Sequence, residues 1–505
     1  LIPIEYIFWR KTKMKLNKLL AVCLSAVTIF GASFAAGCGS RENDSKGPSD
    51  SSGAYGDVVF DSKKGEMYLD TKEGKTPIKI TYSEGNGSEW IRQLSRHFLE
   101  ADEGKEYYIV LTIDAQATTA MSSKLEAGSN LDDIYYLLAS PWQSYASLDQ
   151  LENLDELYNT KIPGEEKTIL EKITGSWKTY GQAYNQNNLH YYIFPSATSV
   201  TGLVYNKTMF DEYEWEVPET VTELKALCDR IVADTNGKIA PFVYPGKVSG
   251  GYWDFIGTNW WLQVSGEEKM NELMQFDSPE LFNSDKLSSP SYGKLTMLQT
   301  FEDLIVKNKE KYIARMSGSY DHYQAQQAFG AGMAAMIPNG SWIQNESGED
   351  IEDEIRMMPV PYMDDALKDE KGEYISYNYS GQPSFVAVPN KAKNKEGAKA
   401  FLAYVCRDDM LRLYTEICGT PMPFEYDVES ISLNSFQQSC IDIWKNSTTW
   451  FEDSRSPLWT GLKVRKFNAG DPYVNLLINY PGVTADSWCA AEYAGVKGAW
   501  DTWVN

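Results

Sequence analysis

Apolar and polar positions follow two different periods along this chain, and the two periods alternate. Short apolar runs such as PIKITY (77–82) and YYIVLTI (107–113) are typical of buried β-strands. SEWIRQLSRHFLEA (88–101) instead repeats its apolar residues every three or four positions, as a helix entered at Ser88 would. The same patterns predict strands over 133–139, 190–197 and 202–207 and a helix over 115–127. This alternation predicts an α/β fold with mainly parallel sheets, whose ligand-binding loops lie beyond the carboxyl ends of the strands.

PETVTELKALCDRIVAD (218–234) is the clearest helix in the sequence. Thr220 can cap its first turn, and Glu223, three residues later, completes a capping box. Cys228 shares the apolar face of this helix with Ile231. We therefore interpret Cys228 as a small core residue rather than a reactive thiol.

Length and charge limit the kind of protein this can be. A chain of 505 residues is too long for one ordinary hydrophobic core, so two or three compact units are expected. The net charge of −23 would repel a nucleic-acid backbone, so we expect no nucleic-acid partner; neutral or cationic ligands suit it better. None of the seven cysteines forms a CxxC pair and the three histidines are isolated, so no metal site, disulfide framework or cofactor is predicted.

Residues 14–38 have the features of a secretory signal peptide. Two lysines precede an apolar run over 19–36, and this run ends in small residues. The ending AAGC resembles a bacterial lipobox, which implies cleavage before Cys38 and acylation of that cysteine. The alternative is an ordinary signal peptide followed by an incidental cysteine. Acylation would hold the protein on the extracellular face of a bacterial cell membrane.

The first 75 residues are therefore expected to lie outside the folded part. Residues 1–37 would comprise upstream residues, before a start at Met14, and the lipoprotein signal peptide. Residues 38–75 are rich in Ser, Gly and Asp and lack apolar periodicity. We expect them to form the acylated cysteine and a disordered linker.

PSATSVTGLVYNKTMFDE (195–212) resembles the signature of the extracellular solute-binding proteins of ABC importers, in the maltose-binding-protein-like group. Ser196 departs from that signature, in which an apolar residue is usual. Three later segments agree with the family in order and spacing: AFGAGMAAMIPNGSWIQ (328–344), EIRMMPVP (354–361) and GQPSFVAVPNKAKNKEGAKAFLAYV (381–405). The resemblance extends over residues 76–505 and is weakest near the end.

The resemblance implies a periplasmic-binding-protein-like fold. Such proteins have two α/β lobes that are joined by crossing segments and close around a ligand as a hinged clamp. The implied crossings lie near 196–201, 378–384 and 410–428. The implied lobes are 76–197 plus 382–425 for lobe 1, and 198–381 plus 426–505 for lobe 2.

Gly330, Gly332 and Ala335 match GxGxxA, a dinucleotide-binding pattern. That motif requires a strand before it and a helix after it. Here the preceding YQAQQAF has a helical pattern and the following MAAMI is strand-like, which is the reverse order. The pattern therefore does not predict a nucleotide site.

A carbohydrate site needs flat aromatic rings for the C–H faces of the sugar, and amides or carboxylates for its hydroxyl groups. Several expected loops place such groups together, and Trp253 and Trp342 have the most support because loop polarity and family position agree. Burial in a lobe core is the alternative for each tryptophan, and Glu84 and Asp254 could instead cap helices. The candidate ligand-binding residues are Glu84, Asn86, Trp142, Tyr252, Trp253, Asp254, Asn339, Trp342, Tyr379 and Trp450.

GGYWDFIGTNWWLQ (250–263) is the densest aromatic stretch of the chain. After Trp253, apolar residues on several sides predict a buried helix, so Trp260 and Trp261 are expected in a core. Tyr252 and Trp253 precede this helix and follow two flexible glycines. We expect these two residues to face the ligand cleft.

The leading functional hypothesis is a surface-anchored receptor that captures a carbohydrate, which we expect to be an oligosaccharide, and delivers it to ABC permease subunits in the membrane. It would act as a monomer and break no bond, so no catalytic residue is assigned. The alternative is a secreted glycoside hydrolase, which would need two carboxylates about 5 to 10 Å apart at the glycosidic bond. A third hypothesis keeps the receptor fold but changes the ligand to a peptide, a polyamine or a metal complex.

Overall fold

The computed structural model describes residues 55–83, 87–114, 116–138, 142–185, 188–381, 384–453, 458, 473, 476–477 and 482–504. The predicted signal peptide, Cys38, Glu84 and Asn86 lie outside these residues. Within the described ranges, no helix combines the length and the hydropathy that crossing a membrane requires.

The strands of the described residues fall into two large sheets and two short pairs. Their bounds are β1 Val58–Asp61, β2 Glu66–Leu69, β3 Thr76–Tyr82, β4 Tyr107–Ile113, β5 Ile134–Leu138, β6 Gln182–Asn185, β7 Asn188–Tyr191, β8 Ile193–Pro195, β9 Thr201–Asn206, β10 Ala240–Phe242, β11 Ala334–Gly340, β12 Ile355–Met358, β13 Tyr377–Tyr379, β14 Ser384–Ala387 and β15 Thr448–Trp450.

Helices cover the faces of both large sheets. Their bounds are α1 Glu89–Glu100, α2 Ala117–Ala127, α3 Trp142–Ser147, α4 Asp155–Tyr158, α5 Ile169–Lys172, α6 Trp177–Tyr180, α7 Lys207–Glu212, α8 Val221–Asp234, α9 Trp253–Gln275, α10 Pro290–Phe301, α11 Lys309–Tyr312, α12 His322–Gly330, α13 Ile343–Ser347, α14 Lys395–Tyr404, α15 Asp408–Cys418, α16 Ser435–Lys445 and α17 Ala485–Val504.

Lobe 1 is built on a seven-stranded sheet with the strand order β1–β2–β4–β3–β5–β14–β8. Its central strands β4, β3 and β5 are parallel, as the strand–helix alternation predicts. The chain leaves this sheet after β8 and returns to it at β14, after passing through lobe 2.

The segment before residue 76 is folded further than the sequence composition indicated. Within the expected linker 38–75, strands β1 and β2 pair as an antiparallel hairpin, and β2 continues the lobe 1 sheet by pairing with β4. Val58 and Met67 are buried beneath this hairpin. The expectation of a disordered linker up to residue 75 is therefore wrong from about Tyr55 onward, because these apolar residues cover the edge of the sheet.

Lobe 2 is built on a four-stranded sheet with the order β10–β11–β9–β12. Strand β10 is parallel to β11, whereas β9 is antiparallel to both β11 and β12. Both sheets are thus mixed rather than mainly parallel. Strands that enter a lobe from the other lobe, such as β9 and β14, run against their neighbours. In lobe 1 the β1–β2 hairpin adds two further antiparallel pairs, β1–β2 and β2–β4.

Hydrogen bonds tie the segments that pass between the lobes. The stretch 196–200 connects β8 of lobe 1 to β9 of lobe 2, and the Thr198 amide donates to the carbonyl oxygen of Pro421 at 2.9 Å. The Asn378 side chain accepts from the Thr201 amide at 3.1 Å and donates to the carbonyl oxygen of Ser199 at 3.0 Å. These bonds hold the crossings side by side.

Two local predictions in lobe 2 are confirmed. Thr220 and Glu223 form a capping box at the start of α8, and Cys228 lies in the core with no exposed surface. Burial raises the pKa of the Cys228 thiol, as an apolar surrounding does for a thiol. The GxGxxA pattern lies between the end of helix α12 and strand β11, so a helix precedes it and a strand follows it.

Candidate ligand-binding site

Three aromatic side chains, Tyr252, Phe255 and Trp342, form a partly exposed surface on lobe 2 that we call the aromatic shelf. The ring centroid of Trp342 lies 6.0 Å from that of Tyr252 and 5.3 Å from that of Phe255. All three side chains are only half-buried. Trp342 closely follows Gly340, which pairs with Thr201 at the start of β9. The shelf therefore lies at the end of lobe 2 where the chain enters from lobe 1.

An unusual turn positions Tyr252. Gly250, Gly251 and Tyr252 have φ angles of 78°, 55° and 65°, so three consecutive residues adopt the left-handed region. Glycine takes this conformation freely, whereas a tyrosine there is strained. A Cβ atom on Gly251 would lie 2.7 Å from the Tyr244 ring, so the turn also needs glycine for space. It directs the chain into helix α9 and leaves Tyr252 on the shelf.

Trp342 is held by a close approach to the backbone. A Cβ atom on Gly340 would lie 2.1 Å from Cζ3 of Trp342, so the indole packs directly over this glycine. The NGSW segment therefore uses its glycine to let the ring lie against the end of β11. Any larger residue at Gly340 would displace the Trp342 ring.

Carboxylates border the shelf. Asp254 lies in the first turn of α9, where the helix dipole favours a negative charge. Glu346 lies in α13, and its Oε2 accepts a hydrogen bond from Gln326 Nε2 at 2.7 Å. Burial raises the pKa of Tyr252, and the nearby charges of Glu346 and Asp254 raise it further. Two acidic groups thus act on the same shelf tyrosine.

A second group of rings connects the shelf to the crossing segments. The Tyr379 ring centroid is 6.3 Å from that of Phe255 and 5.8 Å from that of Trp450. The Tyr379 hydroxyl donates to Glu452 Oε1 at 2.8 Å, and Trp450 Nε1 donates to Asn271 Oδ1 at 2.9 Å. Both rings are nearly fully buried, so they support the shelf from behind.

Trp253 does not face the cleft, contrary to the expectation from the sequence. Its side chain is 1% exposed and lies in the lobe 2 core, with its ring centroid 5.3 Å from that of Phe242 and 5.4 Å from that of Phe301. Trp253 is buried because helix α9 begins at this residue, so Trp253 belongs to the helix instead of the loop before it. Trp253, Ile256 and Trp260 then share one buried face at helical spacing.

The other candidate residues divide by burial. Tyr252, Asp254 and Trp342 are partly exposed, and the structure brings them together. Trp142 is 1% exposed and packs against Tyr180 and Phe385 inside lobe 1, contrary to a position on a binding loop. The side chains of Asn339, Tyr379 and Trp450 are also buried, and the Asn339 side chain accepts from the Gly340 amide at 2.8 Å.

Three residues of this region were not among the sequence candidates: Phe255, Tyr323 and Glu346. Phe255 was missed because the helix was expected to be buried on all sides. It lies two residues after Trp253, however, and therefore on a different face of the helix. Tyr323 is 50% exposed and lies on α12, one turn before Gln326. Nothing local in the sequence marks Glu346, because its burial arises only when α12 packs against α13.

The described residues contain no cluster of three or more His, Cys, Asp or Glu side chains arranged to hold a metal ion. The described cysteines are unpaired and buried. What the site offers instead is stacking surface and hydrogen-bond acceptors, which suit a polar organic molecule with apolar faces.

Two sheets joined by adjacent crossings, with a partly exposed aromatic surface beside them, define the class of two-lobed binding proteins. RafE in complex with raffinose has this fold, with a TM-score of 0.62 and 15% identity over 84% of this chain and 99% of that chain. The apo form of RafE from Streptococcus pneumoniae has a TM-score of 0.61 and 17% identity, and the match covers 84% of this chain and 98% of that chain. The expectation of a two-lobed α/β fold is confirmed.

Residues 71–410 match the family of bacterial extracellular solute-binding proteins, and the chain belongs to that family. This confirms the resemblance carried by residues 195–212. The diacetylchitobiose binding protein NgcE of Streptomyces coelicolor is 27% identical over 259 residues, which is 50% of each chain. The multiple sugar-binding protein of Streptococcus mutans is 27% identical over 248 residues, 48% of this chain and 53% of that protein. The chain spans about half the length of the curated relatives it matches.

Proposed function

We propose that this protein is a receptor that captures a carbohydrate, specifically an oligosaccharide, between its two lobes and delivers it to ABC permease subunits in the membrane. The aromatic shelf is the observation that carries the proposal. Its partly exposed rings provide surface for the C–H face of a sugar, and Asp254 provides a carboxylate that can accept hydrogen bonds from sugar hydroxyl groups.

Membership of the solute-binding family supports a transport role, and the names of the two curated relatives support a sugar as the cargo. In this role the protein changes no covalent bond. Capture occurs by closure of the lobes over the shelf, with the crossing segments as the hinge.

The proposed location is the outer face of a bacterial cell membrane. Cleavage before Cys38 and acylation of its thiol would anchor a monomeric receptor there. Such an anchor keeps the receptor close to its permease while its lobes remain in the external medium.

A glycan-binding screen, followed by titration calorimetry with the glycans that bind, tests the proposal. We expect saturable binding of at least one neutral oligosaccharide. The bound sugar should be recovered intact, by chromatography and mass spectrometry, after long incubation. Cleavage of the sugar would favour a glycoside hydrolase instead. Binding of peptides or polyamines with no binding of any sugar would contradict the proposed cargo.

A further inference from the structure

Glu346 lies directly beside the shelf. Helix α13 begins immediately after Trp342, and the Glu346 amide donates to the Trp342 carbonyl oxygen at 3.0 Å. Glu346 therefore lies one helical turn after the shelf tryptophan. Burial raises the pKa of Tyr252, the second shelf residue, and the nearby Glu346 charge raises it further.

The carboxyl group is held in place by a fully buried amide. Gln326 has no exposed surface, and its Oε1 accepts a hydrogen bond from the Ser347 hydroxyl. This bond fixes the orientation of the amide, so Nε2 points to Glu346 Oε2 and donates to it at 2.7 Å. One carboxylate oxygen is thereby occupied and fixed, as expected for a group that is positioned in advance for a ligand.

The surroundings of Glu346 do not supply a counter-charge. Besides Glu346, the titratable groups that act on Tyr252 are Asp254 from the start of α9 and Tyr323 from α12, whose ring contacts that of His322. Burial lowers the pKa of His322, so it stays neutral near pH 7. Among the described residues, Gln326 is the hydrogen-bond donor to the Glu346 side chain, and no Lys or Arg forms an ion pair with it. Glu346 is partly exposed, and Gln326 engages only its Oε2, so Oε1 is available to a further donor.

We infer that Glu346 is a ligand-binding residue, whose carboxylate accepts hydrogen bonds from hydroxyl groups of the sugar ring that stacks on the aromatic shelf. This inference rests on the proposed function. Oε2 is already engaged by Gln326, so Oε1 is the main acceptor for the sugar. Gln326 and Ser347 act as positioning residues, because they hold the carboxylate and do not themselves need to reach the ligand.

A ligand-binding role for Glu346 makes sugar affinity depend on pH. Burial raises the pKa of Glu346 to about 7 in the absence of ligand. Hydroxyl donors would stabilise the charged form, so a bound sugar lowers this pKa. The affinity contributed by Glu346 is then fully present above pH 7 and declines as the pH falls below 7 towards the lower pKa of the bound state. Affinity for a neutral sugar should therefore be higher at pH 8 than at pH 6.

Titration calorimetry at pH 6, 7 and 8 tests the proposed role of Glu346. The ligands are a panel of neutral oligosaccharides that includes raffinose and diacetylchitobiose. Wild type, Glu346→Gln and the control Glu310→Gln are compared; Glu310 is an exposed acidic residue of lobe 2. We expect Glu346→Gln to bind at pH 8 about 10-fold more weakly or worse, since hydrogen bonds to a charged group are the stronger class. We also expect it to lose most of the pH dependence. Glu310→Gln should match wild type.

The outcomes separate the inference from the proposed function. If wild type binds no sugar in the panel or in the glycan screen, the proposed function fails, and the inference fails with it. If wild type binds and Glu346→Gln binds equally well at pH 8, the inference alone is overturned. If the variant binds weakly but keeps the wild-type pH profile, Glu346 has only a structural role, and the inference is again overturned. Circular dichroism confirms that each variant is folded.

Discussion

Trp342 and Trp260 should respond to alanine substitution in opposite ways, since one lies on the aromatic shelf and the other in the core of the same lobe. Trp342 is partly exposed beside the crossing segments, whereas Trp260 has no exposed surface. Trp260 Nε1 also donates to the carbonyl oxygen of Pro361 at 2.9 Å. The two substitutions remove the same side chain from two different environments of one lobe.

The cost of Trp260→Ala is mainly a loss of stability. Removing a fully buried indole leaves a cavity, and substitutions of this type cost about 3–5 kcal/mol in the free energy of unfolding. The Pro361 carbonyl oxygen also loses its donor, which adds to the cost unless water replaces it. We therefore expect the upper half of that range, with ligand affinity close to wild type in the fraction that remains folded.

The cost of Trp342→Ala is mainly a loss of affinity. A central aromatic residue of a binding site can contribute about 2 kcal/mol or more, which is roughly 30-fold in the dissociation constant. The substitution also removes ring contacts with Tyr252 and Phe255, but the indole is only half-buried. Its effect on the free energy of unfolding should therefore be about 1–2 kcal/mol, clearly less than for Trp260.

For each variant, titration calorimetry with a sugar found in the glycan screen measures the affinity. Urea unfolding followed by fluorescence measures the free energy of unfolding. Trp253→Ala is the matched control, because Trp253 is buried in the same core and should follow Trp260. The assignment of the shelf would be refuted if Trp342→Ala kept wild-type affinity. It would equally be refuted if Trp342→Ala lost as much stability as Trp260→Ala and its weaker binding only reflected unfolding.

Three further predictions concern other parts of the chain. Lys294 Nζ donates to both carboxylate oxygens of Glu492, at 2.6 and 2.8 Å. Glu492→Gln should cost about 3–5 kcal/mol in the free energy of unfolding, measured with urea, because the buried Lys294 charge would lose its partner. The double variant with Lys294→Met should recover part of that loss. Saturating sugar should reduce the radius of gyration in small-angle X-ray scattering, and an unchanged value would contradict lobe closure. Cys38→Ala should move the protein from the membrane fraction to the medium without changing sugar affinity, and an unaltered membrane fraction would exclude the lipid anchor.

The parts of the fold that could be predicted from the sequence are those where one local pattern dominates. Strand β4 occupies the predicted residues 107–113, and helix α8 follows its capping box at Thr220. The hairpin of β1 and β2 was missed for the opposite reason. Its strands are four residues long and each fully buries only one side chain, so the surrounding Ser, Gly and Asp residues outweigh its short alternation of apolar residues.

The site shows how one helix boundary changes the interpretation of a sequence. A helix that begins at Asp254 leaves Trp253 free to face a cleft, whereas a helix that begins at Trp253 places it in line with Trp260 in the core. The boundary depends on the left-handed conformation of Tyr252, a residue that rarely adopts it. Propensity and periodicity carry no information about such a strained residue, so the faces of this helix could be assigned only from the structure.

The segment 448–452 constrains how the proposed lobe closure can occur. Trp450 packs in lobe 2, where it donates to Asn271, while the next residue, Phe451, packs in lobe 1 with its ring centroid 4.8 Å from that of Trp177. Consecutive side chains of one strand end are thus fixed in different lobes. Because neither ring can leave its core without a large loss of buried apolar area, relative motion of the lobes must be smallest near this segment. Closure should therefore move Phe255, which is held next to Tyr379, less than the other two shelf rings, Tyr252 and Trp342.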